Sequence, residues 1–518
     1  MSGLILFNAN VITMDPAFPK TQLVVIQNNR ISTVGRNEDL KKFKNSTNTK
    51  VIDCKGKTVL PGFIDAHCHI LSFAESFVTL NLTPQNNVHS ISDIQATIRS
   101  FSKKCPSGTW IRGKGYNEFD LTEKRHPTRE DLDRATSIHP IKLTHRSGHA
   151  HVLNSVALRM VGISKETSDP PGGLIDRDIR AGEPTGVLYG MSNYLAKLIP
   201  PIENYQMEQG IRLVNQELLS WGITSIQDVT SLNDFDRWKM FQRWKEHGWF
   251  RSRISMTLGI EGFKEYRKHP CSVQGDKKHL RLGGVKIIIH ETTGQLTPSQ
   301  QELNEMVNNI HQSGFQAILH AIEENPIEAA CTAIEHALKK FPKSDHRHRI
   351  EHCSVCPPSL AKKLASLGII VVTQPSFIYY SGERYLSTVP SHQFKYLYPI
   401  ATLINNGVRI GGSSDFPIAP ANPLMGIYAA TSRKADSGEK ILPEERITPE
   451  EALRMYTEVA AKASFEEKNK GTISPGKLAD LVVLNGDPTK LPIDEIKDID
   501  VEMTILDGEI VWDKQANR

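Results

Sequence analysis

VLPGFIDAHCHI, residues 59–70, joins a Pro-Gly break to a short apolar run that ends in two histidines one residue apart. In an extended strand the side chains alternate, so His67 and His69 leave the same face with Cα atoms roughly 6.6 Å apart. Two imidazoles at that separation can converge on one ion, or can simply be hydrogen bonded in a core. The motif alone leaves both readings open, and the rest of the chain has to decide between them.

Apolar runs rich in Val and Ile recur along the middle of the chain: GFIDAHCHI (62–70), GITSIQDV (222–229), RISMTLGI (253–260), GGVKIIIH (283–290), FQAILHAI (315–322), RIEHCS (349–354), GIIVVTQP (368–375) and VRIGGSSD (408–415). Segments such as PSQQELNEMVNNIHQSG and NPIEAACTAIEHALKKF lie between them, with apolar residues three and four apart, the helical spacing. Continuous apolar strands alternating with helices imply a parallel sheet buried on both faces, and eight units predict an α/β fold, a closed (β/α)8 TIM-like barrel. A doubly wound open sheet fits less well, because no Gly-rich phosphate loop follows the first strand.

Outside the barrel, LILFNANVITM and QLVVIQNNRISTVG near the start and LADLVVLNGDP and VEMTILDGEIVWD near the end read as short strands, with Asp507-Gly508 a hairpin signal. Neither end is large enough to bury a core alone. The expectation is one small β domain built from residues 1–61 and 472–518, with the barrel at 62–471. About 150 residues separate the first two barrel strands, against a little over ~30 for an ordinary βαβ step. This predicts a lid or substrate insertion at about 72–200.

Hydrophobic residues make up 39% of the 518-residue chain, charged residues 23%, and the net charge is +4 with no long basic run. That balance argues against nucleic acid or an anionic membrane as the main partner. Seven cysteines over this length do not make a disulfide framework, and no apolar run reaches the ~18 residues of a membrane span, so the chain reads as cytoplasmic.

Polar residues now recur at the strand ends. Lys286 lies in the fourth strand, His320 in the fifth, His352 in the sixth and Asp415 at the end of the eighth. The intervals of 34, 32 and 63 residues are one, one and two βα steps. All would reach the C-terminal face, where barrel enzymes keep their chemistry. Four imidazoles and a carboxylate suit zinc or another borderline divalent ion. A lysine in an apolar strand would have a lowered pKa and a reactive neutral amine, or would pair with a carboxylate.

VLPGFIDAHCH, GKGYNE, GHAHVLNSVAL, PTGVL, GITSIQD, GGVKI, ILHAI, RIEHC, GGSSDFP, ITPEEALRMYT and GTISPGKLADLVVL together resemble the amidohydrolase superfamily, more narrowly its family 3, which includes proteins like N-substituted formamide deformylase. The resemblance covers essentially the whole chain. It implies a barrel beside a small β-sandwich made from both termini. It implies a metal-dependent hydrolase acting on a non-peptide C–N bond of a small molecule, an amide, formamide or cyclic amide. His67 and His69 would be ligands of a more buried ion, His320 and His352 of a second, Lys286 a bridging carbamate, and Asp415 both ligand and proton-transfer residue. Tyr116 in GKGYNE and His149 in GHAH are expected substrate contacts, with solvation at the surface the competing reading for His149, and His290, which shares a strand face with Lys286, is expected to be a substrate contact or an extra ligand. The chain departs from the family beside the site, with His290-Glu291-TTGQL after the fourth strand and HAIEEN in the fifth. This leaves one ion or two open, along with a deaminase or a non-catalytic binding protein on the same barrel. The expected partner is a small-molecule substrate, and a homodimer is the candidate assembly.

The remaining features carry plainer readings. Cys353 and Cys356 lack a second pair at zinc-ribbon spacing. Cys68 faces away from the ligands and packs. Asp65 shares a face with His67 and is either its orienting acceptor or a structural hydrogen bond at the barrel mouth. The run HRHR, 346–349, reads as a solvated loop.

Overall fold

Eight parallel strands lie side by side in the computed structural model, which describes residues 3–43, 49–268, 279–292 and 295–516. They are β1 Phe63–Cys68, β2 Ile223–Asp228, β3 Arg253–Leu258, β4 Leu280–Ile288, β5 Ala317–Ala321, β6 Arg349–His352, β7 Ile370–Thr373 and β8 Arg409–Gly412, hydrogen bonded in sequence order. All eight predicted strands are present. Every residue of β1, β2, β3, β6 and β7 is buried, as expected of strands covered on both faces.

The β8–β1 seam closes at one end only. Beyond the strand tips, Asp415 N–H donates to His67 O (2.9 Å) and His69 N–H to Phe416 O (3.0 Å). Lower down, Ile64 N–H donates instead to Tyr456 O (2.8 Å). The helix Glu458–Ala463 follows, and its C-terminal carbonyls, which have no partner within the helix, take side-chain donors from the lower ends and walls of the strands. Gln227 donates to Ala460 O, Arg347 to Lys462 O, Gln316 to Ala463 O and Arg281 to Ser464 O. Guanidinium groups at a helix C-terminus also complement its dipole. The floor of the barrel is therefore a capped helix end, and the metal-ligand candidates sit at the opposite, self-closing end.

Both termini contribute to one sheet. Its strand order is Glu509–Asp513, Val501–Leu506, Leu481–Leu484, Thr58–Pro61, Asn10–Ile12, Lys20–Thr21, with Thr58–Pro61 antiparallel to Leu481–Leu484. A second, four-stranded sheet contains Gly3–Phe7 and Leu23–Gln27, and Leu6, Val11, Val24, Val59, Leu481 and Ile505 form a shared core. Buried Arg253 on β3 donates to Asp480 (2.7 and 2.9 Å) and to Asp507 (2.6 Å), tying the C-terminal hairpin to the barrel.

Residues 70–214 form a compact unit of their own, with a six-stranded sheet and a core that includes Ile94, Ile98, Ile111, Leu143 and Val152. No helix among the described residues is long and apolar enough to cross a membrane.

The HRHR run corrects the solvated-loop expectation: His346, His348 and Arg349 are buried. His348 Nδ1 accepts from Ala317 N–H (2.9 Å), so its Nε2–H faces His311 Nδ1 (2.9 Å), and His311 Nε2–H faces Phe341 O (2.7 Å). His346 Nδ1 accepts from His348 N–H (2.8 Å), and its Nε2–H reaches Leu367 O (2.8 Å). Every ring nitrogen is thus engaged in the neutral form, and an added proton would face a donor. Burial lowers the pKa of both His346 and His348 below the ordinary 6.5. A histidine with a depressed folded pKa binds more protons when unfolded, so its contribution is present above pH 6.5 and lost as pH falls below it. Folding stability is expected to fall as the pH drops below 6.5, by up to about 1.4 kcal/mol per pH unit for each histidine, and the thermal midpoint at pH 5.5 should lie below that at pH 7.5. A smaller drop is expected in His346→Gln, and calorimetry at the two pH values checks both.

Candidate metal centre

The pleat of β1 places His67 and His69 on one side of the chain, and each imidazole is held by its Nδ1. His67 Nδ1 contacts the carboxylate of Glu351, itself clamped by Arg349 through Nε (2.6 Å) and Nη2 (3.0 Å). His69 Nδ1 meets Thr230 Oγ1 at 2.9 Å. His352 is fixed by a chain of donors: Ser413 Oγ donates to Thr373 O (2.9 Å), and Gln374 Nε2 donates to Ser413 Oγ (3.0 Å). Gln374 Oε1 is thereby left to accept His352 Nδ1–H (2.9 Å). Holding Nδ1 in this way presents Nε2 to an ion.

The free Nε2 atoms of His67 and His69 lie 3.5 Å and 3.1 Å from Asp415 Oδ1, and His352, held at Nδ1 by Gln374, has that nitrogen 4.0 Å from Asp415 Oδ2. With metal–nitrogen bonds of ~2.05 Å, ligands of a tetrahedral ion are about 3.3 Å apart. The two distances to Asp415 Oδ1 are close to that spacing, and the ligand atoms of His67, His69 and Asp415 all fall within 4.8 Å of one another. Asp415 Oδ1 is buried yet makes no hydrogen bond of proper geometry among the described residues, as expected of an atom shaped for a cation. Burial works to raise the Asp415 carboxyl, but the imidazoles of His67, His69 and His352 outweigh it and hold it well below the usual range. Asp415 (φ 58°) and His352 (φ 71°) both sit in the left-handed backbone region. Non-glycine residues reach it at a cost of order 1–3 kcal/mol, and such residues cluster at functional sites.

Lys286 also reaches this end of the barrel. It is 3% exposed, and its Nζ has no hydrogen-bond partner among the described residues. Burial lowers its pKa to about 8, against the raising effect of Glu351 and Asp415. The rings of His320 and His352 are 4.4 Å apart and those of His67 and His352 4.8 Å, so the structure brings His67, His69, His320, His352 and Asp415 together. β4 ends at Ile288, and His290 opens a hairpin, His290–Thr292 with Gln295–Thr297. Its exposed ring lies 6.1 Å from that of His320.

Tyr116 and His149 lie in the 70–214 unit. Tyr116 is fully buried there with its hydroxyl 2.9 Å from His126 Nδ1, beside a His145–Glu118 pair at 2.8 Å, and His149 is exposed.

Asp65 accepts the backbone N–H of His67 (3.1 Å), together with the N–H and hydroxyl of Ser414, and burial pushes it up to about 7 against these bonds. Of the two readings of Asp65, these bonds agree with the structural one and not with the orienting one, because Glu351 occupies His67 Nδ1. Sequence reasoning missed Glu351 and Arg349. Their signal was the alternation Arg-x-Glu in a strand whose other positions are core, which puts two charges inside a barrel where each needs a partner.

The family model described as Amidohydrolase family matches residues 50–512. The protein named "Putative amidohydrolase YtcJ" of Bacillus subtilis (strain 168) is 28% identical over 97% of this chain and 98% of its own length. N-substituted formamide deformylase of Arthrobacter pascens is 27% identical over 100% and 99%. An uncharacterized metal-dependent hydrolase from Pyrococcus horikoshii OT3 shares the fold, with a TM-score of 0.77 at 22% identity over 95% of this chain and 99% of that one.

Proposed function

This chain belongs to the amidohydrolase family, and on that premise we propose that it hydrolyses a non-peptide C–N bond of a small molecule, an N-formyl, N-acyl or cyclic amide. The observation that carries the reading is the convergence of His67 Nε2 and His69 Nε2 on Asp415 Oδ1, at 3.5 and 3.1 Å, with the ligand atoms of all three within 4.8 Å of one another. His67, His69 and Asp415 would hold one divalent ion, with zinc the best match to the donor set. His320, His352 and a carboxylated Lys286 would hold a second. A divalent ion bound there lowers the pKa of a water molecule from 15.7 towards about 7 and polarises the substrate carbonyl. Asp415 takes the proton of the attacking water on a carboxylate oxygen and returns it to the leaving nitrogen, so that amide and water become carboxylate and amine. Glu351, Thr230 and Gln374 keep the three imidazoles from rotating during this exchange.

Neutral Lys286 can add its amine to carbon dioxide, losing one proton and becoming an anionic carbamate. Its lone Nζ, buried within reach of the Glu351 and Asp415 charges, supports that role. Lys286→Ala is expected to bind one fewer metal equivalent than the wild type and to regain activity partially with added propionate, measured by elemental analysis and turnover. A variant with full metal content and rate would remove the carbamate from the mechanism.

The reading is tested by screening chelator-free protein against N-substituted formamides, N-acyl amino acids, hydantoins and aminopurines with zinc, manganese and bicarbonate present. Release of amine from one of the first three classes supports it. Turnover of aminopurines alone would make the protein a deaminase, and no turnover at all would overturn the hydrolase reading.

A further inference from the structure

A cavity of about 310 Å³ opens at the floor of the barrel, away from the strand ends that carry the histidines. Its walls include Ser255, Thr257, Arg281 and Gly283, with Gln227 and Arg349 at its inner end. The volume lies at the lower end of small-molecule sites. Thr257 is 2% exposed, and its Oγ1 has no hydrogen-bond partner among the described residues. A buried hydroxyl without a partner is costly and rare. Ser255 Oγ accepts from Lys470 Nζ (2.9 Å), leaving its own proton to donate. Arg281 spends Nη1 on Ser464 O (2.7 Å), and its nearest carboxylate, Glu466, is 3.7 Å away and already bonded to Lys470 at 2.8 Å.

The backbone is also arranged to keep this space open. Opposite Met256–Leu258 the register of β4 runs from Leu282 to Val285, a bulge occupied by Gly283 and Gly284. A Cβ at Gly283 would come within 3.0 Å of Ser255 Oγ. Hydroxyl donors and a guanidinium at one side, with Leu282, Phe315 and Ile318 also lining the space, match an anion with a short apolar tail.

We propose that this cavity is a binding site for a small organic carboxylate, separate from the metal centre. The carboxylate accepts from Thr257, Ser255 and Arg281, and the tail rests on the apolar wall. The proposal does not depend on which bond the enzyme cleaves.

The test is thermal unfolding of the full-length protein titrated with sodium butyrate, against sodium chloride at equal ionic strength. A saturable rise in midpoint is expected in the wild type and in Asp415→Asn, and its loss is expected in Thr257→Val and Gly283→Val. Thr257→Val is close to isosteric, so it remains informative where Gly283→Val fails to fold, and its ligand-free midpoint should be no lower than that of the wild type. No saturable rise, a rise that survives Thr257→Val, or one that disappears in Asp415→Asn would overturn the site. So would a ligand-free Thr257→Val midpoint several degrees below the wild type, because the hydroxyl would then have a protein partner.

Discussion

Asp415→Asn is expected to lower kcat/KM by about 10⁴-fold, the upper end of what one positioned acid–base group contributes, because the same side chain also belongs to the ligand set. Its Oδ1 lies 3.1 and 3.5 Å from two imidazole nitrogens and has no competing hydrogen bond among the described residues. Asparagine keeps the shape but can neither take a proton from water nor neutralise a cation. The backbone N–H that closes the seam onto His67 O is unaffected by the change, so the variant should unfold within a few degrees of the wild type. Steady-state kinetics with the best amide from the screen, alongside circular dichroism, checks both halves. An active Asp415→Asn enzyme would remove Asp415 from the proton-transfer role.

The largest stability effect is expected at Arg349 and Glu351. Both are at most 1% exposed. Arg349 serves Glu351, Gln227 Oε1 and Ala66 O at once, while Glu351 also holds His67 Nδ1. Removing one partner strands a charge in the barrel, so Arg349→Met and Glu351→Leu should each cost about 3–5 kcal/mol. The double variant places two apolar side chains where an ion pair stood, and such replacements are often neutral or stabilising. It should recover most of the lost stability while still binding metal about 10–100-fold more weakly, because nothing then orients the His67 ring. Urea unfolding and zinc titration separate the two effects. A double variant with wild-type metal affinity would show that the pair serves stability alone.

The barrel was legible because short apolar runs, several of them rich in Val and Ile, alternate with helical segments eight times, and because Lys286, His320, His352 and Asp415 recur at multiples of a βα step. Periodicity also explains what was not legible. The pairing of Asp415 and His69 with the opposite strand tips, and the substitution of Tyr456 O for a strand partner at Ile64, depend on tertiary geometry that no local pattern encodes. Arg349 and Glu351 read as ordinary charges until the strand around them is known to face the barrel interior. His346 and His348 read as solvated because their neighbours are charged, yet one ring nitrogen of each is engaged by a backbone group 21 or 31 residues away in the chain, and His311 takes another. The 70–214 segment builds its sheet from runs such as IRGKGY and IKLTH, in which glycine and lysine mask the strand signal.

His67, His69 and Asp415 are expected to hold an ion that the reaction requires. Elemental analysis of protein purified without chelator, run in parallel with amide turnover, tests it for the wild type and for His67→Asn/His69→Asn. Bound zinc or a similar divalent ion is expected in the wild type, with loss of metal and activity together on chelation, recovery of both with added zinc, and neither in the double variant. Full turnover after the metal has been stripped, or unchanged metal content without His67 and His69, would contradict it.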